Sequence, residues 1–164
     1  MSILLSSQEP PIDPIVELMG FRLSTATVLF HAAIADRLGL SVTDLKCYSI
    51  LRQTGPITAG ELGARVGLTT GAITGVIDRL EQAGLVQRVR DAQDRRRVVL
   101  ELLSNPAHEQ LLNQLYGPLG QSVAALVAQY SAAEQATILD FITKATAALE
   151  SATTALRRAG GATP

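Results

Sequence analysis

A mainly helical fold with one small two-stranded β element (α+β) is what the 164-residue sequence predicts. Three observations carry that expectation. Apolar residues make up 47% of the chain but aromatics only 4%, with no Trp, so a core must come from Leu, Ile, Val and Ala, a composition that leans helical. Apolar positions recur at helical spacing along most of the chain. Only residues 86–102 break that period, with two short β-branched runs around a centre that is charged or polar except for Ala92. The length suits one domain or a small module with helical extensions, and is too short for a barrel enzyme or a dinucleotide enzyme with a separate substrate domain.

The elements follow in order. Residues 1–14, with Glu9-Pro10-Pro11 and Pro14, read as a loose N-terminal arm. A very apolar helix is expected from Ile15 to Leu38, stopped by Gly39. Ser41 is placed to cap a second helix that ends at Gly55-Pro56. Thr58-Ala59-Gly60-Glu61 is a capping box for a short helix ending near Gly67. Thr69 caps the next, in which Ile73, Val76, Ile77 and Leu80 share one face before Gly84. Residues 57–84 thus outline a helix-turn-helix. Residues 85–90 and 98–102 then read as a hairpin with Val98, Leu100 and Leu102 on one face and a charged tip between, which is a wing. Asn105-Pro106 caps a long helix in which Gly117-Pro118 predicts a kink or short break. Ser131 to Glu134 is a second capping box and opens a last helix that frays from Gly160.

Composition narrows function. The one cysteine, Cys47, excludes a disulfide framework and a Cys-pair zinc site, and points to a reducing cytoplasm. Its apolar helix and the lack of a second thiol favour a packing role over redox sensing. His31 and His108 have no ligand spacing around them, so no metal is expected, and no cofactor loop or nucleophile–base pair stands out. The apolar stretch from Ile15 to Leu40 carries Glu17, Arg22, Asp36 and Arg37, so no membrane span or leader is expected. Net charge is −1, but residues 52–97 hold eight arginines against five acids, net +3, between two arms of −2 each. That asymmetry points to nucleic acid.

Two features carry this reading. On the helix after Thr69, the face opposite the apolar stripe shows Thr70, Gly71, Thr74, Gly75, Asp78, Arg79 and Gln82. Small hydroxyl residues and glycines let a helix approach base edges closely, and Gly costs up to ~1 kcal/mol of helix propensity relative to Ala, which a free surface has little reason to carry. At the wing, Arg95, Arg96 and Arg97, with Arg88 and Arg90 on the facing strand, are expected to form a basic finger for phosphates and the minor groove. Asp91 and Asp94 are expected to accept from an arginine and hold the tip.

Leu62 to Leu102 resembles the winged helix-turn-helix of the MarR family of bacterial regulators. The matching residues are Glu61-Leu62, Gly67-Leu68-Thr69, Ile77-Asp78-Arg79-Leu80-Glu81, Gly84-Leu85-Val86 and Arg88, and above all Asp91-x-x-Asp94-Arg95-Arg96 with Val98 and Leu102. The flanking helices are similar to that family's dimerisation domain; a family member often has Thr where Leu103 stands. The resemblance implies a winged helix-turn-helix DNA-binding domain over residues 41–104 and a helical dimerisation domain over 15–40 and 105–159. It implies a homodimer on a palindromic double-stranded operator, a repressor released by a small-molecule effector, Thr70, Gly71 and Thr74 on the major-groove face, and Arg96 in the minor groove braced by Asp94. A winged-helix module for protein–protein assembly is the alternative; its interface helix would show large apolar anchors instead.

Overall fold

The computed structural model describes residues 13–160. Most of the expected N-terminal arm and the tail beyond Gly160 lie outside them. The described chain runs α1 (Pro14–Glu17), a π-helical turn (Leu18–Leu23), α2 (Ser24–Leu38), α3 (Val42–Thr54), α4 (Ala59–Val66), α5 (Thr70–Gln82), β1 (Val86–Arg90), β2 (Val98–Leu102), α6 (Pro106–Val127) and α7 (Ala132–Gly160). Pro14 belongs to the helix and not to the arm: it takes the first helical position, where a missing N–H costs nothing, and Asp13 caps it by accepting from the Ile15 N–H at 2.8 Å.

Local sequence sets most boundaries. Ser41 and Asp44 form a reciprocal capping box at α3, and Thr58 and Glu61 another at α4. Ser131 and Glu134 repeat it before α7. Gly39, Gly67 and Gly84 take the left-handed conformation just past their helices, which a Cβ would strain.

Three expectations need correction. The helix from residue 15 is not uniform, because a π-turn spans Leu18–Leu23. Of the kink or short break expected at Gly117-Pro118, the break does not occur: α6 is continuous through Pro118. The proline removes one hydrogen bond to the Gln114 carbonyl, but Gln114 and Pro118 lie on an exposed side of the helix, where solvent can reach the backbone. The strand alternation also fails. Val98 is exposed while the consecutive Val99 and Leu100 are both buried. Val98 pairs with Arg90 beside the tip, whereas the Leu100 N–H donates to the Ile57 carbonyl at 2.8 Å, which adds a one-residue third rung to the antiparallel pair.

The core sits in the middle of the chain. Tyr48 and Leu51 from α3, Leu62 from α4, Ile73, Val76, Ile77 and Leu80 from α5, and Leu85, Val86 and Leu100 around the hairpin bury one another, with Leu112 reaching in from α6. A smaller cluster of Ile34, Ala35 and Leu45 ties α2 to α3. The arms differ. Phe21, Val28 and Leu29 on the first helices, Leu126 on α6, and Leu139, Ile142 and Leu149 on α7 are all more than half exposed. By length and composition alone, the helical stretch Pro14–Leu38 is long and apolar enough to cross a membrane.

Candidate nucleic-acid interface

The turn between α4 and α5 is built by three residues. Gly67, at φ 78°, closes α4 by donating its N–H to the Gly63 carbonyl at 2.8 Å, and Leu68 donates to the same oxygen at 2.9 Å. Thr69 then caps α5, its hydroxyl accepting from the Ala72 N–H at 3.4 Å. The helices pack closely at Gly63, where a Cβ would sit in van der Waals contact with Ile73 Cγ2 and the Leu68 carbonyl at 3.4 Å. Burial of Leu62 against Ile73 and Ile77 turns the other side of α5 outward.

On that side Thr69, Thr70, Gly71 and Thr74 are exposed together at the N-terminal end of α5. The Thr74 hydroxyl donates to the Thr70 carbonyl at 2.8 Å, which leaves its oxygen free to accept. Nothing lies within 4 Å of where a Gly71 Cβ would sit, so no contact inside the chain requires glycine there.

The arginines divide into two groups, a division not visible in the sequence. Arg79 reaches back to α3 and grips Asp44 with two hydrogen bonds, Nε to Oδ2 at 3.1 Å and Nη2 to Oδ1 at 2.7 Å. Asp44 is 2% exposed. Burial by itself raises its pKa, but the hydrogen bonds from Arg79 and Ser41 outweigh that and hold the carboxyl below its ordinary value. Arg88 is not part of a finger: it turns onto α5 and bridges Asp78, at 2.8 Å, and Glu81. Its backbone N–H also donates to Glu81, at 3.0 Å. Arg97 pairs with Glu61 at 3.1 Å, which ties the wing to α4.

Arg95 and Arg96 stand at the tip, exposed and without an ion-pair partner among the described residues. The tip is held by carboxylates, though they accept from backbone and not from guanidinium groups. Asp91 Oδ1 takes the N–H of Gln93 at 2.8 Å and of Asp94 at 3.4 Å, and Asp94 Oδ1 takes the N–H of Arg96 at 3.0 Å. The bonds from Gln93 and Asp94 hold the Asp91 carboxyl below its usual range. Arg90 contributes by donating Nη1 to the Arg95 carbonyl at 3.1 Å. The tip loop therefore presents Arg96 from a fixed backbone.

Behind this surface lies a crevice of about 460 Å³ between α2, α3 and α6. His31, Leu45, Lys46, Ser49, Arg52 and Tyr116 line it, with no carboxylate among its walls. On the opposite side of α3, Cys47 is fully buried and burial pushes its thiol pKa up to about 11. A protonated, inaccessible thiol is a poor nucleophile. No group of three potential metal-ligating side chains occurs among the described residues. The family resemblance implies a ligand crevice between the dimer helices and the winged domain, but the sequence could not assign its lining, because the walls come from segments far apart in the chain.

A helix-turn-helix with an exposed, small-residue second helix and a braced basic hairpin beside it defines a winged-helix DNA-binding protein. The MarR family model matches residues 40–98. Over 129 residues the chain is 46% identical to an uncharacterized HTH-type transcriptional regulator, YcgE, of Bacillus subtilis, covering 79% of this chain and 82% of that one. The apo crystal structure of wild-type MarR from E. coli superposes with a TM-score of 0.57 at 27% identity, over 82% of this chain and 97% of that one. A MarR family protein of Bacillus stearothermophilus shares the fold, with a TM-score of 0.62 at 23% identity, over 82% of this chain and 94% of that one. The chain belongs to the MarR family of DNA-binding transcriptional regulators, which are not enzymes.

Proposed function

We propose that the chain acts in the cytoplasm as a homodimeric repressor that reads a palindromic operator and is released by a small molecule. The carrying observation is the open N-terminal face of α5 beside a tip whose Arg95 and Arg96 have no internal carboxylate. In this reading residues 41–104 form the DNA-binding domain. Thr69, Thr70, Gly71 and Thr74 enter the major groove, and Gly71 brings the helix backbone close to the bases. Arg96 enters the minor groove and Arg95 meets phosphate. Arg79, Arg88 and Arg97 act indirectly, by fixing α5 and the wing against α3 and α4. The exposed face of α5 offers no large aromatic or aliphatic anchor, which disfavours a protein-assembly role.

Residues 15–40 and 105–159 supply the dimer. Apolar side chains spread along several helices exceed what a monomer normally leaves in water, and a second copy of the same arms covers them under two-fold symmetry. The crevice behind α3 holds the effector. Lys46 and Arg52 with no opposing carboxylate favour an anionic molecule. Footprinting on the DNA upstream of the protein's own gene tests the reading. Two protected half-sites about one helical turn apart, lost on adding the effector, are expected. An absence of sequence-specific protection on that DNA and on a duplex library would overturn it.

A further inference from the structure

The last helix makes one long-range polar contact with the reading head, and that contact falls on the helix-turn-helix turn. α7 is 29 residues, roughly 43 Å at 1.5 Å per residue. Its side-chain hydrogen bonds to other parts of the described chain lie only at its two ends. Gln135 donates to the Val127 and Tyr130 carbonyls at the corner with α6. At the far end Arg157 donates Nη1 to the carbonyls of Ala64 and Arg65, both at 3.1 Å, and Nη2 to that of Val66 at 2.9 Å.

Those three oxygens are the ones α4 leaves unpaired. Both N–H groups that follow the helix, from Gly67 and Leu68, go to the Gly63 carbonyl. A guanidinium suits the site because its planar fork serves several acceptors at once and its charge faces the negative end of the helix. The guanidinium lies directly over Gly67, 2.9 Å from where a Cβ would sit. The next two residues are Leu68 and Thr69, the cap of α5. The grip is therefore one short turn away from the surface proposed to read DNA.

We propose that Arg157 is a positioning residue for DNA binding: by clamping the C-terminal carbonyls of α4 it fixes the reading head to the C-terminal arm. This rests on the homodimeric DNA-binding reading above. In a dimer built through the arms, the separation of the two recognition helices is then set by this clamp as well as by the α6 connection. Releasing it leaves each head able to read its half-site but loosens the distance between them.

The test uses the full chain and a duplex selected from random sequence by the wild-type protein, together with versions of that duplex whose half-site spacing is changed by one base pair either way. Wild type should prefer one spacing. Arg157→Ala should lose on the order of tenfold in affinity on the preferred duplex, the scale of lost charge-assisted hydrogen bonds, and its preference among spacings should flatten. Arg158→Ala removes the same charge one residue away from an exposed side chain and should behave as wild type. Both variants should remain dimers by sedimentation. Wild-type affinity and spacing preference in Arg157→Ala would overturn the proposal, as would equal losses in both variants, which would reduce the effect to charge. If Arg157→Ala does not fold, Arg157→Lys decides: it keeps the charge but cannot span three carbonyls with a planar fork. A flattened preference in Arg157→Lys supports the clamp, and an unchanged one overturns it. If the wild type selects no duplex at all, the DNA-binding reading fails first and separately.

Discussion

The centre of the chain and its two arms handle apolar surface in opposite ways. Between residues 41 and 104 most large apolar side chains turn inward, Val42 and Val98 excepted, and Leu62, Ile77, Leu80 and Leu100 are at most 1% exposed. In the arms, helices of equal or greater apolar content leave Phe21, Leu29, Leu139 and Leu149 more than 60% exposed. Both regions have well-capped helices, so the contrast is not one of local order. It shows that the centre closes a core with its own residues, whereas the arms present faces that only another surface can cover.

The largest expected effect comes from breaking the arms. An acid placed on an exposed apolar face does little to an isolated chain but is costly between two copies. Ile142→Asp with Val28→Asp should give a monomer at micromolar concentration and lower operator affinity by at least roughly 100-fold, several kcal/mol. Wild-type sedimentation in that variant would place the dimer contact elsewhere.

The centre should respond through stability instead. Asp44→Ala removes a cap and leaves Arg79 without its partner. Because Arg79 is half-exposed and can rehydrate, the expected cost is about 2 kcal/mol, read as a lower urea midpoint. The sign with pH follows from the lowered pKa. The Asp44 contribution is fully present above the ordinary value of 3.8 and is lost as pH falls through the lower folded value. Acid unfolding of wild type should therefore be steeper than that of Asp44→Asn in that range.

At the wing, Asp94→Ala should weaken operator binding by a few-fold although it removes a negative charge, because Asp94 accepts the N–H of Arg96. Tighter binding by that variant would reduce the wing to a basic patch. The smallest effect belongs to Cys47→Ser, which should lower stability by roughly 1–2 kcal/mol by burying a hydroxyl and leave DNA binding equally indifferent to peroxide.

What the sequence revealed was whatever a few neighbouring residues decide. Thr58 with Glu61, Ser131 with Glu134, the glycines at 39, 67 and 84, and the hairpin around residues 91–97 fixed element boundaries before any coordinates. What stayed hidden depends on distant partners. Arg79 and Asp44 are 35 residues apart, Arg97 and Glu61 are 36, and Arg157 and Ala64 are 93. An arginine's position along the chain says nothing about which carboxylate it meets, so Arg79, Arg88 and Arg97 looked as available to DNA as Arg95 and Arg96. Pro118 misled for a related reason: its cost falls on the exposed side of the helix at Gln114, which solvent can reach, and the helix continues on either side.

The central claim is that Arg95 and Arg96 at the wing tip are available to DNA, while Arg79, Arg88 and Arg97 are committed to carboxylates of the protein. The salt dependence of operator affinity tests this most directly, because each phosphate-neutralising cation adds about one unit to the slope of log affinity against log salt. Arg96→Ala should lower affinity roughly tenfold and shrink that slope by about one unit per protomer. Arg88→Ala should leave the slope unchanged whatever it does to affinity, since Asp78 and Glu81 already neutralise Arg88. A slope that falls in Arg88→Ala and holds in Arg96→Ala would contradict the account.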